Sequence, residues 1–192
     1  MPTDPGPRRS DARRNRQSLL DAAASVFAQA GVEAPVREIA REAGVGAGTI
    51  YRHFPTRADL VVAVFEHQVD SLAAAGDEVV LGDWIQQFAD FLVTKHGLAD
   101  AMASDRAGFE RLHTDFVVRL EPVCARLLDV EVSAGRMCSD VRPLDLMRAI
   151  GNLCIGAEGN GDYDAHRMIE ALLTGLSTGT DDTRRGAVLR SR

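Results

Sequence analysis

No stretch of this 192-residue chain approaches the roughly 18 consecutive apolar residues that a membrane-crossing helix needs, which argues against a span. The N-terminus carries charge but no apolar run of the kind a secretory leader has, so the expected compartment is the cytoplasm. Cysteine is scarce. Cys124, Cys138 and Cys154 are odd in number and lack CxxC spacing, which points away from a disulfide framework or a zinc site and towards three small buried hydrophobes. Catalytic signatures are missing too: there is no HExxH, no GxSxG, no P-loop and no Rossmann glycine pattern between a strand and a helix. The five histidines are scattered, and His113 and Asp115, two residues apart on a helix, point in different directions. Neither catalysis, nor a metal, nor a cofactor is expected.

What is present is the composition of a globular protein, 45% hydrophobic and 26% charged, with a formal net charge of −6. The charge is unevenly spread. Residues 1–67 hold nine arginines against eight carboxylates, whereas residues 68–192 hold thirteen basic side chains against twenty acidic ones. Near the start, Arg8, Arg9, Arg13, Arg14 and Arg16 meet only Asp4 and Asp11, a local basic arm able to reach phosphates or a minor groove. Residues 1–12, with three prolines and a glycine, read as disordered.

The most informative stretch is Val36–Arg57, VREIAREAGVGAGTIYRHFPTR. Val36, Ile39, Ala40 and Ala43 recur at helical spacing, leaving Arg37, Glu38, Arg41 and Glu42 towards water. Gly44 stops that helix, because glycine takes the left-handed conformation without a Cβ penalty. A second short helix carries Ala47, Thr49, Ile50, Tyr51 and Phe54, and Pro55 ends it by disfavouring helical geometry in the residue before. Two short helices on a tight glycine turn make a helix-turn-helix, whose second helix can enter the major groove of DNA. Thr49, Tyr51, Arg52 and His53 then face outwards, Ile50 and Phe54 inwards, and Arg57 is placed to pin a phosphate.

At Ile39–Arg57 the chain resembles the tetracycline-repressor (TetR/AcrR-type) family of transcriptional regulators, filling the pattern I-A-x-x-A-G-V-x-x-G-T-[IL]-Y-x-[HY]-F in order. The resemblance covers about residues 14–67; beyond that only the helical layout is similar. It implies an all-α fold, with a three-helix DNA-binding domain followed by a helical bundle for ligand binding and dimerisation. It implies contacts to double-stranded DNA, a palindromic operator, from Arg37, Gly46, Ala47 and Thr49, and from Tyr51, Arg52, His53 and Arg57. Two departures stand out. Many members have a small hydroxyl residue where this chain has Pro35, and larger or polar residues where it has Gly46, Ala47 and Gly48; both changes remove candidate DNA contacts.

Along the chain the spacing predicts a helix from about Arg13 to Ala30, ended by Gly31, and a fourth from Thr56, whose Thr56–Asp59 spacing is that of a capping box, to about Ala75. Further helices are expected over Asp83–His96, ended by Gly97, then a short piece near Leu98–Ala103, then Arg106–Val132 with Pro122 kinking or breaking it. The last two start near Pro143 and run over about Ala165–Leu176. The domain plan is a disordered basic arm at 1–12, the helix-turn-helix domain at 13–67, the ligand-binding and dimerisation domain at 68–178 and a disordered tail at 179–192. From spacing alone Trp84, Phe88, Phe91, Phe109 and Phe116 read as core. Family members commonly bind a small effector between the middle helices, so the resemblance turns these residues, with His113, into the lining of a largely apolar cavity. It also implies a homodimer through the last two helices, where Gly151 and Ala157 would allow close approach. The reading is a repressor released from its operator by a small molecule. The alternative is a helical protein-interaction module with a vestigial helix-turn-helix.

Overall fold

The computed structural model describes residues 7–102, 105–138, 140–155 and 162–178, and all the regular structure among them is helical. The helices are α1 (Pro7–Ala30), α2 (Val36–Glu42), α3 (Ala47–His53), α4 (Arg57–Ala75), α5 (Leu81–Ala101), α6 (Arg106–Ser133), α7 (Pro143–Ile155) and α8 (Ala165–Thr178). The side chains of 7–13, 93–101, 106 and 107 lie outside the description, as do residues 1–6, the expected tail at 179–192, and Ala157. Contacts divide the chain into two compact units: residues up to Asp70 with Thr94–Arg111, and Ser71–Val93 with the residues from Leu112 on. The division passes through α4, α5 and α6.

In the first unit, α1 packs on α2 and α2 on α3. Leu19, Leu20, Ala23 and Phe27 of α1 are buried, as are Ile39 and Ala40 of α2, Ile50 of α3, and Leu60, Val61, Val64 and Phe65 of α4. Each large side chain removed from water in this way contributes about 1.5–3 kcal/mol, which is what holds helices too short to persist alone. The capping box at Thr56 is present: the Thr56 N–H donates to Asp59 Oδ2 at 2.9 Å and the Asp59 N–H to Thr56 Oγ1 at 3.1 Å. Asp21 on α1 and His67 on α4, 46 positions apart in sequence, meet at 2.6 Å.

The second unit is centred on α5. Trp84, Ile85, Phe88, Ala89, Phe91 and Leu92 are buried there, with Phe116, Leu120, Cys124 and Leu128 of α6, Leu146, Met147, Ile150 and Cys154 of α7, and Ile169 of α8. Helices α7 and α8 pack on each other. His166 of α8 reaches two α5 side chains, Gln86 through Nδ1 at 2.5 Å and Asp90 through Nε2 at 3.1 Å. Gly76, just after α4, is buried against Val123 of α6, and an added Cβ would overlap that side chain. The neighbouring Asp77 binds Arg126 at 2.6 Å.

Expectations about three elements are corrected. Helix α1 begins at Pro7, not about Arg13, because proline fits the first helical turn, where its missing N–H has no partner to lose. Gly97 does not end α5; the two pieces predicted on either side of it are one helix, Leu81–Ala101. A glycine inside a helix costs only about 1 kcal/mol relative to alanine, too little by itself to end one. Of the two outcomes expected at Pro122, a break does not occur, and α6 runs on through it to Ser133. The carbonyl that Pro122 leaves without its helical donor belongs to Val118, which is 64% exposed, so water can satisfy it. The end of α6 is set instead by Gly135 at φ 69°, with the Gly135 N–H donating to the Val132 carbonyl and the Arg136 N–H to that of Glu131, both at 2.9 Å.

Candidate nucleic-acid interface and aromatic cluster

The turn between α2 and α3 is built by Gly44, at φ 65°. The Val45 N–H reaches back to the Ala40 carbonyl at 3.0 Å and the Gly44 N–H to that of Arg41 at 3.3 Å, the paired bonds that close a helix on a left-handed glycine. Helix α3 then starts at Gly46, whose carbonyl accepts the Thr49 N–H at 2.8 Å, and ends at Phe54, whose N–H donates to the Ile50 carbonyl at 2.8 Å. Neither Pro35 nor Gly46 supplies a side-chain cap. With Ile50 and Phe54 buried, the opposite face of α3 presents Tyr51 (54% exposed), Arg52 and His53 to solvent, with Thr49 and Ala47 half-buried beside them. Arg37 on α2 is exposed as well. Nothing lies within 4 Å of where a Cβ would stand on Gly46 or Gly48, so the first turn of α3 offers bare backbone.

Two arginines that the sequence assigns to phosphates make contacts within the first unit, Arg57 half-buried and Arg16 exposed. Arg57 donates through one terminal nitrogen to the Ala34 carbonyl at 2.8 Å and through the other, at very short range, to that of Val32, while its Nε lies 4.0 Å from Glu33. It is half-buried, and its hydrogen bonds go to backbone on the loop before α2. Arg16 of α1 stands over the Phe54 ring, 5.5 Å from its centre, a cation–π contact at the end of α3. Sequence reasoning missed both roles, since each pairs residues more than twenty positions apart; only the buried position of Phe54 was legible.

The expected ligand-lining residues fall into three groups. Trp84, Phe88, Phe91 and Phe116 form a continuous ring cluster, with centroids 5.5 Å apart for Trp84–Phe88, 6.2 Å for Phe88–Phe91 and 5.9 Å for Phe91–Phe116. All four are buried, and the Trp84 indole N–H is committed to the Leu72 carbonyl at 2.9 Å. His113 is exposed rather than buried, although it shares a helix face with Phe116 and the two rings meet edge-on, 5.0 Å between centroids. Phe109 belongs to the other compact unit.

Two of the three thiols, Cys124 and Cys154, are buried as expected, whereas Cys138 is half-buried and its thiol donates to the Leu176 carbonyl at 2.8 Å. Burial first, and the nearby Glu121 carboxylate second, push Cys124 up to about 12 from an ordinary 9.0. Burial and then Asp90 raise Cys154 also. The carboxyl of Glu131 is lowered, chiefly by its hydrogen bonds from Arg136 at 2.7 and 3.0 Å. No helix of the described residues is long and apolar enough to cross a membrane.

Residues 19–64 match the family model for bacterial regulatory proteins of the tetR family, and residues 77–178 match that for the C-terminal domain of SbtR-like transcriptional regulators. HTH-type transcriptional regulators of Staphylococcus aureus are 41% identical over 63 residues, 32% of this chain; the match spans 34% of their length, so the chain covers about a third of these curated relatives. Two solved structures are similar over nearly their whole length. A TetR transcriptional regulator from Streptomyces coelicolor is 32% identical, covering 84% of this chain and 98% of that one with a TM-score of 0.72. A TetR transcription regulatory protein from Mycobacterium vanbaalenii is 31% identical, covering 89% and 99% with a TM-score of 0.63. With both halves matched and the architecture shared, the chain belongs to the tetR family of bacterial regulatory proteins.

Proposed function

We propose that this protein is a cytoplasmic, homodimeric transcriptional repressor that binds a palindromic operator through α3 and leaves it when a small molecule occupies the C-terminal bundle. The observation that carries the reading is the division of α3 into a buried side, Ile50 and Phe54, and an exposed side of Tyr51, Arg52 and His53 on a glycine-closed helix-turn-helix. Those exposed groups, with Thr49, supply base-edge and backbone contacts, and Arg37 a phosphate contact. Gly46 and Ala47 let the helix backbone approach the duplex. Dimerisation would use the outer faces of α7 and α8, and would set two α3 helices about one turn of B-DNA apart, roughly 34–36 Å.

The effector site is assigned to the edge of the ring cluster near Phe91 and Phe116, where His113 offers a polar group beside an apolar surface. Thirteen basic against twenty acidic residues over 68–192 disfavour an anionic effector. Arg119, half-buried near Phe116, already lies 3.6 Å from Asp115. A neutral or cationic apolar molecule fits best. Its binding need favour a poorly fitting half-site separation by only about 1–3 kcal/mol to change operator occupancy several-fold or more.

The test is binding to duplex DNA taken from the flanks of the coding sequence, over a salt series with random duplex as competitor. Salt-sensitive binding that resists the competitor is expected. Binding that random duplex removes equally well would count against a sequence-specific regulator.

A further inference from the structure

The helix-turn-helix is closed at its two ends by one side chain. Ala34 precedes α2, Arg57 opens α4, and everything between them is α2, the turn, α3 and the Phe54–Thr56 connection. The Arg57 guanidinium joins those ends through the Val32 and Ala34 carbonyls, two donors of one planar fork on two acceptors of one short loop. That loop is shaped to receive it. Gly31, at φ 76°, turns the chain out of α1, and the Ala34 N–H folds back to the Gly31 carbonyl at 3.1 Å. Pro35 then holds φ at −60° and restricts Ala34 to extended geometry. Val32 and Ala34 are themselves buried, so the loop cannot move without disturbing the core. Pro35 leaves α2 without a side-chain cap, and the clasp provides an attachment at the same point from outside the helix.

We infer that Arg57 is a positioning residue for DNA binding, fastening the entrance of α2 to the start of α4, rather than a phosphate contact. The inference rests on the DNA-binding reading for its functional consequence, but its structural half does not. A charge that neutralises a phosphate contributes to specific and non-specific binding alike and about 0.9 to the salt slope. A clasp contributes to neither directly; it preserves the register in which α3 meets base edges. Lysine separates the two, since it keeps the charge but has no planar fork to hold both carbonyls.

The experiment compares wild type, Arg57→Lys and Arg57→Gln, with Arg37→Gln as the phosphate-contact control, on a duplex that the wild-type protein selects from a random library and on random duplex, over a salt series. Both Arg57 variants are expected to lose about ten- to a hundredfold on the selected duplex, the scale of charged hydrogen bonds lost, while affinity for random duplex and the salt slope stay near wild type. Arg37→Gln should lower the slope. An Arg57→Lys protein that binds like wild type, or an Arg57→Gln protein whose slope falls by about one, would overturn the assignment. Amide exchange in the DNA-free protein supplies the independent arm: residues 32–54 should exchange faster in Arg57→Lys while α7 and α8 keep their protection. Unchanged exchange there would overturn the clasp whether or not DNA binds. A wild type that selects no duplex while exchange rises as expected would sink the DNA-binding reading and leave the clasp standing.

Discussion

A single thiol shows how burial sets chemistry in the second unit. Cys124 lies in the packed face of α6, and its protonated form is favoured by burial and by Glu121. An acid whose folded value exceeds its unfolded one stabilises the fold fully below the unfolded value and loses that contribution as pH rises through the folded one. Between 9.0 and about 12, therefore, the unfolded chain gives up this proton first and stability falls. Urea midpoints measured at about pH 8 and about pH 10 should drop further in wild type than in Cys124→Ala, where the titrating group is gone. Equal drops would mean that the thiol titrates normally. The same burial predicts that native protein at neutral pH resists alkylation at Cys124 and Cys154, and that half-exposed Cys138 is labelled first, as mass spectrometry of the modified peptides would show.

At the scale of elements, two glycines with opposite surroundings make opposite predictions. Gly48 in α3 has open space where a Cβ would stand, so Gly48→Ala should raise the melting temperature, by up to about 1 kcal/mol of helix propensity, while weakening operator binding if the bare turn lies against DNA. Gly76 is the reverse. A Cβ there meets Val123, a buried β-branched side chain unable to swing aside, so Gly76→Ala should destabilise by about 1–3 kcal/mol in thermal or urea unfolding. The contrast also marks what could be read before the fold was known. Local signals were legible: Gly44 ending α2, Thr56 with Asp59 opening α4, and the apolar periods that placed Ile39, Ile50 and Trp84 inside. Non-local ones were not. Gly97 and Pro122 look like breaks in the sequence yet lie inside helices, and nothing in the sequence near Arg57 or Arg16 announces that one binds carbonyls before α2 and the other covers Phe54. His113, three positions before Phe116, was rightly expected beside that ring, but spacing along α6 did not announce that the imidazole itself would stay exposed.

For the molecule as a whole, the outer faces of α7 and α8 pose the remaining question of assembly. These helices pack on each other, yet Ile155 is 56% and Met168 44% exposed, and a Cβ at Gly151 or Gly175 would meet nothing within 4 Å. Leu172, Leu173 and Leu176 are only half-buried beside them. Apolar and small residues left open on two adjacent helices suit a symmetric interface, in which a two-fold axis repeats each contact and the missing side chains let backbones approach. Placing one carboxylate on that surface separates assembly from folding. Met168→Glu removes no core contact, so the isolated subunit should keep its helicity and melt cooperatively, while sedimentation should change from dimer to monomer. Its effect on DNA then has a definite form. Each half-site contact is intact, so binding to random duplex should fall little, but the second half-site no longer binds intramolecularly, and operator affinity should drop by about a hundredfold or more. A variant that remains dimeric, or a monomer that holds the operator as tightly as wild type, would remove α7 and α8 from the interface and the two-fold operator from the mechanism.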